Sequence, residues 1–343
     1  MQRTYQEKTL INYGEILANS IQEKDYAGKH IIIFTNQRYY ERFFEKLQRL
    51  FSKASIDWYV CTNLVYSNTI QELMDALRFL NRFSSNEDHL FLAFGNEGVI
   101  QLTGFLHRNT AIKSHFWVIP VSLRAYSQAL VSTCSIFGKP TEMMMTTKVL
   151  ANRIFLDQTI VQRQVDGKLV DLQMFIRTGI VCDYTFLQTL YRNFPSKKQL
   201  ENTAFTALVE PVTIFYQNFE EEISNFGKIF ETAFYLTENG HLLSESMKRF
   251  FGLLFHLFWA IQWSIEDFQI ENFLKWLHRL GFPIFLPRQI SLAEYLQNVL
   301  KLQEKDKELV TLEKIGTIGE SKRASERDLL QAAKNYQKIC SKI

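Results

Sequence analysis

Through the first half of the chain, short β-branched and aromatic runs alternate with longer segments whose apolar residues recur every three or four positions. His30 to Phe34 (HIIIF) reads as a strand, and the charged, aromatic stretch to about Phe51 as the helix that follows it. Asp57 to Cys61 (DWYVC) and His89 to Phe94 (HLFLAF) repeat the strand signal, with an amphipathic helix at Thr69 to Phe83 between them. Phe116 to Pro120 (FWVIP) and Arg153 to Asp157 (RIFLD) continue the series, and Val121 to Val131 supplies another helix. Such alternation predicts a parallel sheet flanked by helices. Beyond about Leu169 the apolar spacing is helical, with almost no strand-like alternation, and the one late interruption is Gly281 to Pro287 (GFPIFLP). The pattern therefore divides the chain into an α/β domain over residues 1–165 and a helical domain over residues 166–343. In the first helix Tyr40, Phe43 and Phe44 share one side, which predicts packing on the sheet. The other reading joins them to Tyr39 as an aromatic patch for a protein partner.

A chain of 343 residues has the length for two such domains, each with its own core. Its 39 lysines and arginines against 36 aspartates and glutamates leave a net charge of +3 without a basic stripe, so nucleic acid is not indicated. Cys61, Cys134, Cys182 and Cys340 are widely spaced and form no CxxC pair, which argues against a disulfide framework and fits a reducing cytoplasm. The opening MQRTYQEKTL is charged and lacks the apolar core of a secretory signal. No membrane span is expected either, because the apolar run from Phe250 to Ile261 falls short of the roughly 18–20 residues that cross a bilayer. Phenylalanine is abundant, at 29, whereas glycine numbers only 14.

The stretch Asn225 to Gly252, NFGKIFETAFYLTENGHLLSESMKRFFG, resembles the signature of the dehydroquinate synthase family, NxGHTFGHA followed by HGE and a glycine-bearing helix. Asn225, Gly227 and Gly252 keep its framework. In that family two histidines of the signature hold a catalytic zinc. Here the corresponding positions are Lys228 and Thr232, and the HGE histidine falls on Ser244 or Glu245. Gln173 to Tyr191 (QMFIRTGIVCDYTFLQTLY) is similar to the family's AEVIKYGLIADAEFFEWLE, with the third zinc ligand, a glutamate, replaced by Met174, the lysine by Arg177 and the tyrosine by Thr178. Methionine does not substitute for a hard oxygen ligand.

Further segments bear on the resemblance. Ala93 to Phe105 (AFGNEGVIQLTGF) is similar to the family's nucleotide loop ALGGGVIGDLAGF. Gly95 is kept there, two glycines have become Asn96 and Glu97, and the loop aspartate has become Gln101. Glycines in such a loop let backbone N–H groups approach a pyrophosphate at a helix N-terminus. A side chain at Asn96 obstructs that approach, and a carboxylate at Glu97 opposes phosphate charge. The plainer reading of this segment is a turn that only joins strand to helix. Asn36, in FTNQ, stands where the family has an acid that accepts a ribose hydroxyl, and Leu64 to Asn68 (LVYSN) has neither acid nor lysine of the family's GExxK element. Trp117 to Ser135 resembles QIPTTLLAQVDSSVGGKT, with the aspartate at Gln128 and the substrate lysine at Cys134, which reads as a small core residue. Near the C-terminus, Lys305 and Lys307 correspond to phosphate-binding lysines, or belong to a solvated helix end.

The resemblance implies a Rossmann-like α/β nucleotide-binding domain, an all-α C-terminal domain, a homodimer, and a family chemistry that uses NAD and zinc. The substitutions imply that neither cofactor is held in the family's way. The expectation is a pseudoenzyme with a binding or regulatory role, which takes an anionic small molecule in the interdomain cleft near Arg177 and Lys228. The alternative is a divergent 3-dehydroquinate synthase or another sugar-phosphate cyclase with a rebuilt site. For a rebuilt metal site, His241 and Glu245 stand four apart and would share a face of a helix, although Asn239-Gly240 signals a turn just before them. His256, within FGLLFHLFWA, reads as a satisfied core histidine.

Overall fold

The computed structural model describes residues 2–6, 8–62, 67–139, 141–161, 167–303 and 308–343. The chain divides into two compact units, Met1–Gly167 and Lys168–Ile343. The boundary expected near residue 165 lies among residues 162–166, outside the described residues.

Among the described residues the first unit contains nine strands: β1 (Gln2–Tyr5), β2 (Thr9–Tyr13), β3 (His30–Asn36), β4 (Ile56–Cys61), β5 (His89–Gly95), β6 (Ser114–Pro120), β7 (Thr133–Lys139), β8 (Glu142–Lys148) and β9 (Arg153–Leu156). Seven of them form one sheet in the order β1-β2-β9-β6-β5-β3-β4, parallel except for β1 against β2. Strands covered on both faces read as continuous apolar runs. Accordingly Ile31, Ile32, Ile33 and Phe34 are all buried. The helix Gln37–Leu50 lays Phe43 and Leu47 on one face of the sheet, and Tyr40 and Phe44 both pack on Trp58 of β4. Tyr39 meets Phe94 of β5 edge-on. The aromatic helix face is thus engaged with the sheet.

Every strand expected from the apolar runs is present, with ends shifted by one or two residues. Two features were not expected. β1 and β2 extend the sheet at its far edge, and β7–β8 forms a separate antiparallel hairpin. The β8 sequence EMMMTTK is exposed along most of its length, so it shows no alternation to read. The expected helix Val121 to Val131 is shorter, Leu123–Ala129, because the Ser122 hydroxyl accepts the Ala125 N–H and sets its start.

The second unit is built around the helix Glu245–Ala260, whose Phe250 to Ala260 are all buried. Phe255 of this helix meets Tyr295 of the helix Leu292–Gln303 and Tyr336 of the helix Glu326–Cys340, and Phe234 of the helix Lys228–Leu236 stacks on Tyr295 at 4.1 Å. The near-absence of strand pattern is corrected by a small ribbon, β10 (Leu312–Lys314) with β11 (Thr317–Ile318). These strands are too short to mark the sequence. No helix among the described residues is long and apolar enough to cross a membrane.

Candidate functional site

In the first unit the chain passes from β3 to β4 on one side and then returns to β5 on the other, so strand order reverses between β3 and β5. In open α/β sheets this reversal, at the carboxyl ends of the strands, is where ligands bind. Asn36 ends β3 there, and Asn96 follows β5. The Asn36 carboxamide oxygen accepts the Asn96 N–H at 3.4 Å, and its Nδ2 donates to Thr62 O at 3.2 Å and Ser67 Oγ at 3.1 Å. The reversal is therefore bridged by the chain's own amides.

Asn96 is the cap of the helix Glu97–Asn109, its Oδ1 accepting the Val99 N–H at 3.2 Å. One donor of the first turn is thereby taken by a neutral side chain rather than left for a phosphate. Glu97 is buried and faces Arg124, with Oε1 3.9 Å from Nη1. One turn further, Gln101 donates to Gln128 Oε1 at 3.3 Å and accepts the Ser135 N–H at 3.1 Å. The two positions that carry aspartates in the resembled family are thus glutamines bonded to each other. Gly95 serves packing: a methyl there would stand 2.8 Å from Val99 Cβ. Cys134 is buried on β7 against Gly104, where a methyl would come within 2.6 Å of its sulfur.

Of the segment Leu64 to Asn68, residues 64–66 lie outside the described residues, while Asn68 is buried and donates to Ser135 O at 2.6 Å. The buried carboxylate of this region is one that the sequence did not single out. Glu72 accepts from Tyr59 Oη at 2.7 Å and from the Thr62 N–H and hydroxyl at 3.2 and 2.9 Å. Burial and the Glu72 carboxylate push the Tyr59 phenol well above its usual range.

In the second unit the signature glycines meet where two helices cross. Gly227 has φ +89°, the left-handed region, and precedes the helix Lys228–Leu236. A methyl at Gly252 would stand 2.6 Å from Glu231 N and 2.8 Å from Gly227 O, and one at Gly227 3.0 Å from Leu253 N. His256 is fully used in this crossing. It accepts the Gly227 N–H on Nδ1 at 2.6 Å, which leaves Nε2 protonated to donate to Val310 O at 2.8 Å, and its ring stacks on Phe226 at 3.9 Å. Burial holds its pKa down to about 3.

The positions that carry ligands in the resembled family are occupied otherwise. Lys228 Nζ lies 3.4 Å from Glu231 Oε2, and Arg249 Nε lies 3.5 Å from Glu231 Oε1, so two cations flank one buried carboxylate. The Thr232 hydroxyl donates back to Lys228 O at 2.8 Å. Ser244 caps the helix Glu245–Ala260 by accepting the Met247 N–H, Glu245 is bonded to the Tyr235 hydroxyl and lies 3.4 Å from Lys248 Nζ, and Met174 is buried in the helix Gly167–Cys182. His241 is exposed on the single turn Gly240–Leu242, before that helix begins, so it does not share a helical face with Glu245. Among the described residues no three His, Cys, Asp or Glu side chains are placed to hold a metal ion. Zinc does not fit this donor set.

Arg177 has spare capacity. Its Nη2 reaches Tyr216 Oη at 3.5 Å, and its buried Nε–H has no hydrogen-bond partner among the described residues. Lys305 and Lys307 lie outside the described residues. Glu231, Arg249, Arg124 and Glu72 were missed in the sequence. Only the Lys228–Glu231 spacing of three was open to reading there.

No family model matches the chain. Among curated proteins it is similar to the 3-dehydroquinate synthase of Listeria welshimeri, with 20% identity over 291 residues, 79% of this chain and 77% of that protein. Among solved structures it is similar to 2-epi-5-epi-valiolone synthase from Streptomyces hygroscopicus with NAD+ and Zn2+ bound, with a TM-score of 0.79 and 12% identity over 98% of both chains. It is also similar to 2-deoxy-scyllo-inosose synthase complexed with carbaglucose-6-phosphate, NAD+ and Co2+, with a TM-score of 0.75 and 10% identity over 98% of this chain and 99% of that one. At these identities the structural likeness establishes the fold.

Proposed function

We propose that the chain is a non-catalytic dehydroquinate synthase-like protein, retained as a binding or regulatory protein, a reading supported by its similarity to 3-dehydroquinate synthase and by the fold it shares with 2-epi-5-epi-valiolone synthase. The observation that carries this reading is the ion cluster of Lys228, Glu231 and Arg249 at the metal signature. Zinc catalysis requires several donors converging on one cation. Here an ammonium and a guanidinium flank the single carboxylate and oppose entry of a further positive charge. The self-bonded crevice between β3 and β5 supports the same reading for NAD. Asn36, Asn96, Gln101 and Gln128 direct their polar groups at one another. What persists is a capacity for anions. Arg177 keeps a positive charge with an unused Nε–H, and we assign it the role of holding an anionic small molecule.

The test is calorimetric titration with NAD+, together with metal analysis of the purified protein, beside an intact 3-dehydroquinate synthase. We expect neither stoichiometric zinc nor saturable NAD+ binding. Stoichiometric zinc together with NAD+ would overturn the proposal and support a sugar-phosphate cyclase with a rebuilt site.

A further inference from the structure

Away from both of these regions, the helices Tyr184–Asn193 and Ile270–Leu280 enclose a groove of about 860 Å3. Its size falls within the range of about 300–1,000 Å3 usual for small-molecule sites. Trp276 is buried at its floor, fixed by donation from Nε1 to Phe194 O at 2.7 Å. Tyr184 and Tyr191 rise along it, 44% and 46% exposed, and Tyr191 meets Trp276 edge-on at 5.6 Å.

The charged side chains on the groove are all basic, and the lining also includes Ile343, whose carboxylate ends the chain. Arg192, Lys275 and Arg279 line it and no aspartate or glutamate does. Lys275 is satisfied by Glu271 at 2.7 Å, but Arg279 reaches only the Tyr191 hydroxyl at 3.4 Å, and Arg192 pairs with no carboxylate among the described residues. A basic residue in a last helical turn complements the helix dipole. That does not account for the exposed tyrosines beside the two arginines.

We propose that this groove is a binding site for a flat aromatic anion. Its ring lies along Tyr184 and Tyr191, and its acid group meets the guanidinium groups of Arg192 and Arg279. Tyrosine faces take a flat ring in offset or edge-on contact, and arginine matches carboxylate and phosphate through paired N–H donors. This site is independent of the non-catalytic reading: Tyr184 and Tyr191 lie in the segment Gln173 to Tyr191, but at none of the positions compared with metal, nucleotide or substrate contacts.

Naphthoate and naphthyl phosphate, titrated calorimetrically against the full chain, test it, with naphthalene methanol as the uncharged control and inorganic phosphate as the ringless one. At least one of the two naphthalene anions saturates a single site, and which one does so distinguishes a carboxylate ligand from a phosphate ligand. Its affinity falls by about tenfold or more in the Arg192→Glu/Arg279→Glu variant and in Tyr191→Ala, and falls with added salt. These side chains are exposed, so both variants fold, which circular dichroism at the titration temperature checks. The proposal is overturned if neither anion saturates, if naphthalene methanol or inorganic phosphate binds as tightly, or if the charge-reversed variant binds unchanged.

Discussion

The crevice of the first unit and the helix crossing of the second have both been filled from within, by different physics. Around Asn36 the filling is largely by amides, with Asn36 on Asn96 and Gln101 on Gln128, beside the single ion pair of Glu97 and Arg124. Around Glu231 it is ionic, with Lys228 and Arg249 on either side of a buried carboxylate. In both regions the retained glycines face backbone or packed side chains rather than open space. Packing thus constrains these glycines whatever chemistry the surrounding side chains perform.

The comparison is broken most severely at Gly252. Gly252→Ala forces a methyl against the backbone of the neighbouring helix, and should cost about 3 kcal/mol or more in denaturant unfolding. A loss below about 1 kcal/mol would mean that the helices are not locked at this crossing.

The ionic character of the second region is tested by Arg249→Met, which leaves Glu231 with Lys228 alone. Removing one partner from a buried pair is strongly destabilising. Because the Arg249 side chain is 20% exposed, we expect about 2 kcal/mol, most of it recovered by adding Glu231→Gln. Failure of Glu231→Gln to rescue would show that the arginine acts through packing.

His256 adds a pH dependence to the same region. Its folded pKa of about 3 lies below the ordinary value of about 6.5, so between these the unfolded chain binds a proton that the folded chain does not. This contribution to stability is complete above pH 6.5 and is lost as pH falls towards 3, by about 1.4 kcal/mol per pH unit. His256→Gln should flatten that slope in melts collected across the window.

The smallest effect belongs to the amide region. Asn96→Ala should cost about 1 kcal/mol through the lost cap, and Asn96→Gly only a few tenths. The hydrogen bond to Asn36 comes from the Asn96 backbone N–H and remains in both variants, so equal losses would show that the side chain acts other than as a cap.

The order of strands and helices was legible because β3, β5 and β6 are buried along most of their length and the helices around them on one face, which forces apolar runs and three-to-four spacing onto the chain. The resemblance at Gly227 and Gly252 was legible for a similar reason: a close helix crossing tolerates only glycine. Strand β8 was not, since a strand exposed along most of its length has no pattern to impose. Nor was the bond between Gln101 and Gln128, or the approach of Arg249 to Glu231, because each joins residues from different elements. The sequence by itself determined which ligand types were replaced. Only the tertiary structure decided what their replacements do, because a side chain's partner is set by the packing of helices and strands far apart along the chain.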